Sequence, residues 1–146
     1  MTAFINCHAQ QASEVETIVD EIVKKHEGSQ GVSSMKVVKG GGLDMLKMMF
    51  NKQFGKDFMK GVTSITLIDY SDASDETCMI LRQDLDAFLS LLHEFNLSDE
   101  EKFGDNDYIR CFASDEGSKT ISDFVIAIEN EKSKMLMYMA GNIKVE

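Results

Sequence analysis

Near the C-terminus the methionines Met135, Met137 and Met139 alternate, and their thioether sulfurs are soft donors of the kind that suits Cu(I). On a strand, alternate side chains leave the same face, so the triplet has the spacing to present its sulfurs together. An alternating apolar triplet is also what any core face looks like. Met45, Met48 and Met49 lie on a helical stretch that could pack against it, and packing is the simpler role for all six. The cysteines are Cys7, Cys78 and Cys111. If the first residues are removed as a leader, Cys78 and Cys111 remain as a pair that could form a disulfide or stay as two buried thiols. Beyond the leader the histidines are His26 and His93, both in helical stretches, which gives little support to a cysteine nucleophile with a histidine base.

Two further groups imitate ligand sites. Gly40-Gly41-Gly42 ahead of a helix could turn backbone amides toward a phosphate, but Leu43-Asp44 follow where a phosphate loop needs lysine and a hydroxyl, so a connector is expected. Asp69, Asp72, Asp75 and Glu76 have the density of a calcium loop without its central glycine and terminal glutamate, and they read as a solvated helix start. No acid/base, nucleophile or cofactor constellation emerges, and neither an enzyme nor a bound cofactor is expected.

The elements that must position these residues follow from periodicity. Val15, Ile18, Val19, Ile22 and Val23 recur at helical spacing, after Ser13 and Glu16 in capping-box register and before Lys24-Lys25-His26 and Gly28. A strand is predicted over 31–38. A second helix, carrying Leu43, Leu46, Met49, Phe50 and Phe54 to near Gly55, is apolar enough to be expected under cover. The β-branched run 61–70 reads as a central strand, apolar on both faces. A third helix is predicted from Asp75 to Phe95, with Leu81, Leu85, Phe88, Leu92 and Phe95 as its inward stripe.

An acidic connector, 96–107, leads to a strand at 108–113. A hairpin of Phe124–Ile128 and Met135–Ala140 follows, its second strand closed by Gly141-Asn142. The predicted order is α-β-α-β-α-β-β-β. It forms an α+β domain over 10–146, one mixed or antiparallel sheet of about five strands with helices on one face and the hairpin as the platform they pack on.

At 146 residues and 43% hydrophobic, one domain can fill a core unaided. With 15 Lys+Arg against 25 Asp+Glu, and Arg82 and Arg110 the sole arginines, the field repels nucleic acid.

From Gly31 to Val145 the chain resembles the DUF4252 type, small exported Bacteroidetes proteins grouped as a domain of unknown function. The resemblance rests on Gly31-Val-Ser-Ser-Met-Lys-Val37 before an apolar Met-Leu helix, the strand Ile65–Tyr70, the long helix, and the ending Met135–Ile143 with its Ala-Gly-Asn-Ile. The Gly40–Gly42 loop and the acidic connector depart from it. It implies a leader peptide, an α+β domain and a periplasmic or cell-envelope location, with no activity to carry over.

Residues 1–9 lack acids and lysine and end in Ala9, as the tail of a signal peptide does, although a basic n-region is missing. Lipidation at Cys7 is the less favoured variant, because Asn6 is a poor residue before a lipid-bearing cysteine. The expectation is an exported, non-enzymatic binding module with a protein partner in the envelope and no transmembrane segment in the mature chain. The alternative is a small-ligand binder or enzyme with a Met/Phe-lined pocket between sheet and helices.

Overall fold

The structure is a computed structural model that describes residues 14–38, 40–95, 108–114 and 120–144. The leader pattern with Cys7 and Ala9, the cap Ser13 and the connector 96–107 lie outside the described residues.

The elements run α1 (Glu14–His26), β1 (Ser33–Val37), α2 (Gly41–Phe54), α3 (Lys56–Lys60), β2 (Val62–Asp69), α4 (Asp75–Leu89), β3 (His93–Phe95), β4 (Tyr108–Ala113), β5 (Thr120–Glu129) and β6 (Lys134–Lys144). The strands form one six-stranded sheet in the order β1-β2-β6-β5-β4-β3. Every neighbouring pair is antiparallel. An α+β chain with a single sheet is therefore what the sequence folds into. The strand count and order differ from expectation because β3 is a strand and α3 a separate short helix.

Helices cover both faces of the sheet, not one. On one face, Val19 and Ile22 of α1 and Leu81, Leu85 and Phe88 of α4 pack on Ile68, Val125, Leu136 and Tyr138. On the other, Leu43 of α2 and Met59 of α3 pack on Ile65, Phe124, Ile126, Met139 and Ile143. The cause lies in the central strands. Phe124, Val125 and Ile126 are consecutive and all buried, so β5 must be covered on both sides.

Local chemistry sets the ends of α4. Ser74 caps it by accepting a hydrogen bond from the Thr77 amide at 3.1 Å, and Asp75 and Glu76 occupy the positive end of its dipole. The helix stops at Leu89 rather than running on to Phe95. The Ser90 hydroxyl donates to the Ala87 carbonyl at 2.6 Å, and the chain turns so that His93–Phe95 pair with Cys111–Ala113. Leu92 stays buried in the same core, which is why the apolar spacing continues past the helix end.

The hairpin is longer than its apolar runs. Gly141 does not close β6. The strand passes through a bulge and pairs again at Ile143 and Lys144. There the backbone of Gly141, with φ at 153°, crosses Gly61 so closely that a Cβ would stand 2.1 Å from the Gly61 carbonyl oxygen. At the hairpin tip the Asn130 carboxamide accepts from the Lys132 and Ser133 amides at 2.8 and 2.7 Å, and Ser71 ties Lys134 to the end of β2.

Candidate functional site

α2 is apolar around most of its circumference, and the sheet covers only part of it. Leu43 is buried and Leu46 and Phe50 are half-buried against the sheet, while Met45, Met48 and Met49 are 65%, 74% and 64% exposed. The expectation that this helix is covered is thus corrected: one stripe packs and a second faces solvent. Lys52 follows Met48 by four residues and Met49 by three, so it stands on the same outward stripe. Lys56 and Lys60 continue along α3, both exposed. Met35 and Val38, also exposed, extend the apolar surface at the strand that leads into α2.

Lys52, Lys56 and Lys60 have no ion-pair partner within 4.0 Å among the described residues. On the opposite face several charges are tied into pairs. Lys36 bridges Glu16 and Asp20 at 3.0 and 3.1 Å, and those hydrogen bonds outweigh the lowering effect of burial and raise the Lys36 ammonium above its usual range.

His26, at the end of α1, is buried with its Nε2 2.7 Å from Asp84 of α4, which Lys25 also reaches at 3.0 Å. Burial pushes the Asp84 carboxyl upward, but the hydrogen bonds with His26 and Lys25 outweigh it and hold the group below its ordinary value. Asp123 and Tyr138 are buried together, with the Tyr138 hydroxyl donating to the Asp123 carboxylate.

Two open hollows lie on this α1/α4 face. One, of about 360 Å³, runs between the helices past Ile18, Ile22, Ala87, Phe88 and Leu91. The other, of about 430 Å³, lies between α4 and the sheet and is lined by Tyr70, Arg82, Asp86, Arg110 and Glu129 among others. Both arginines of the chain line it. Arg82 donates from Nε to Glu129 at 2.9 Å, and Arg110 grips Glu94 through Nε and Nη2 at 2.9 and 3.0 Å with its guanidinium 4.9 Å from the centre of the Phe112 ring. The hydrogen bond from Arg110 holds Glu94 below the usual carboxylate range. Burial, reinforced by Glu129, pushes the Tyr70 phenol up to about 12.

The residues singled out in the sequence are distributed as follows. Met135, Met137 and Met139 do share a face, yet Met139 is 0% exposed beneath α3 and Met137 is half-buried in the same cluster. Met45, Met48 and Met49 do not join them, because they point outward. Cys78 is buried on the α4 side of the sheet and Cys111 on the α2/α3 side, and no bridge joins them. The sheet stands between the two, whereas a disulfide needs Cβ vectors that converge. Gly40 precedes α2 without a side-chain cap, and Asp69 accepts from the Ser71 amide at 2.9 Å as an ordinary turn residue. His93 lies on β3 rather than in a helix.

No helix among the described residues is long and apolar enough to cross a membrane. No family model, curated protein or solved structure matches the chain.

Proposed function

We propose that this protein is a non-enzymatic binding module of the cell envelope, related to the DUF4252-type exported proteins, and that the outward stripe of α2 is its working surface. The observation that carries the reading is the exposure of Met45, Met48 and Met49 on successive turns, beside lysines that have no partner within the described chain. Flexible, polarizable methionines suit a surface that must conform to something else, and contiguous exposed apolar groups of this kind mark interaction sites. Elsewhere on the described surface, Asp84, Glu16 and Glu94 are bound up in ion pairs between elements. Export rests on the leader pattern and on the family resemblance.

A photo-reactive amino acid at position 48, in the native host, tests the surface. Adducts are expected from position 48 and not from Gln83, an exposed position on α4. Equal labelling at both positions, or none at either, sinks the reading. Recovery of the native protein from the cytoplasmic fraction sinks export.

A second reading is favoured by the arginine hollow, where Arg82, Arg110 and the Tyr70 hydroxyl offer donors to a small carboxylate or phosphate. A thermal-shift series with dicarboxylates and phosphate esters decides it. Stabilisation that survives in Arg82→Gln removes the hollow from consideration.

A further inference from the structure

Exposure alone does not say what covers the outward stripe of α2; its charge and shape do. Between Gly41 and Lys60 the chain carries Lys47, Lys52, Lys56 and Lys60 against Asp44 and Asp57, a net of +2 in a chain of net −10. Positive charge is therefore gathered around the exposed methionines, while the remainder of the molecule is strongly acidic. An anionic surface meets attraction on this side and repulsion on the others, so the charge distribution selects both the occupant's sign and the orientation in which it is met.

Shape and residue type narrow the class. The stripe is the outer side of a helix that lies on a sheet, and a helix surface of this kind is convex. The two described hollows are on the opposite face. Protein interfaces concentrate their binding energy in Trp, Tyr and Arg. The chain has no Trp, its two arginines line the hollow beside α4, and Phe50 and Phe58 are half-buried in the core beneath α2 and α3. What α2 presents instead is unbranched methionine flanked by long lysines, whose stems lie along apolar surface while the ammonium groups reach for phosphate. A helix with apolar groups at its apex and lysines beside them is the arrangement that seats in a headgroup layer, parallel to the bilayer plane.

We infer that Met45, Met48 and Met49, with Lys52, Lys56 and Lys60, form a peripheral docking surface for an anionic lipid bilayer. This rests on the reading of α2 as the working surface and names its partner. The bound protein lies with α2 and α3 against the lipid and with α1, α4 and the arginine hollow facing away from it. Attachment is reversible, because the surface is small and its electrostatic part is screened by salt.

Co-sedimentation of the full chain with vesicles tests this, using phosphatidylcholine alone or mixed with phosphatidylglycerol. Binding is expected to the mixed vesicles, much weaker to phosphatidylcholine alone, and falling as salt is raised. K52E/K56E, which exchanges four units of charge, is expected to weaken it by about tenfold or more. M45Q/M48Q/M49Q is expected to weaken it to a similar degree by removing the apolar contact, with the helical signal in circular dichroism unchanged. Failure of the unaltered chain to bind the mixed vesicles overturns the inference, as does equal binding to both compositions. Each of these is read on the unaltered chain, so neither depends on a variant folding.

Self-association of the unaltered chain that M45Q/M48Q/M49Q abolishes, without lipid binding, overturns it in favour of a second copy. Position-48 adducts with protein alongside inert vesicles overturn the lipid assignment and leave the working surface standing. Vesicle binding undiminished in M45Q/M48Q/M49Q removes both.

Discussion

Thr66 is 1% exposed and its hydroxyl has no hydrogen-bond partner among the described residues, although it sits between Lys36 and Tyr138 across the sheet. A buried hydroxyl left unpaired has lost its water without compensation. Thr66→Val, which keeps the shape and removes the orphan, is expected to raise stability by about 1 kcal/mol in urea unfolding; a loss would mean that the hydroxyl is bonded in solution. Asp84 makes the opposite case. Its carboxyl is held below its unfolded value, so it stabilises the fold above the ordinary carboxylate range, near pH 4, and that contribution fades as pH falls through the depressed value. Asp84→Asn is expected to cost about 1–3 kcal/mol at neutral pH, since buried His26 loses its charged partner. The stability difference between the two proteins should shrink below pH 4, and a gap that is constant with pH would refute the assignment.

The bulge where β2 and β6 cross shows what the elements demand. Gly141 brings its backbone so near Gly61 that no side chain fits, and its φ of 153° is itself unfavourable to other residues. Gly141→Ala is expected to cost about 2 kcal/mol or more, or to prevent folding, measured as the urea midpoint beside an alanine at exposed Asn142. The sequence identified Gly141 as special but took it for a strand end, because an isolated glycine in an apolar run marks an end and a bulge equally.

Other elements divide along similar lines. The helix stripes of α1 and α4, the two-faced strand β2 and the β5–β6 hairpin were legible from period alone. The end of α4 was not, since Leu92 remains in the core after the helix has stopped and no glycine or proline marks the stop. The covering of both faces was implied by consecutive apolar residues in β5, a pattern that fits a long buried hairpin as well as a two-sided sheet. The candidate surface on α2 was least legible. Met45, Met48 and Met49 have core composition, and only the three-dimensional course of the helix shows that one stripe is already satisfied by Leu43, Leu46 and Phe50.

At the scale of the whole molecule the two described cores share a single sheet, and β6 contributes to both, through Leu136 and Tyr138 on one side and Met139 and Ile143 on the other. Opening either core exposes the strand that supports the other, so the described residues should unfold as one unit. Cys78 and Cys111 report on this from opposite faces. In the oxidised, unreduced protein both are expected to react with a thiol reagent, at rates that rise together across a urea titration and follow the loss of circular dichroism. Resistance of either to the reagent after full denaturation would point to a bond that the fold does not contain.

The limits of the sheet have a consequence for how molecules meet. Among the described residues, at one side it ends in β1, where Lys36 is clamped by Glu16 and Asp20 of α1; at the other it ends in β3, which is three residues long. A clamped cation and a very short strand are both poor templates for a further strand. Long apolar strands are thereby kept inside while the borders refuse to extend. Crowded copies of this chain are steered away from ribbon-like growth, and what contact they make with their surroundings falls to the helix-covered faces of the molecule.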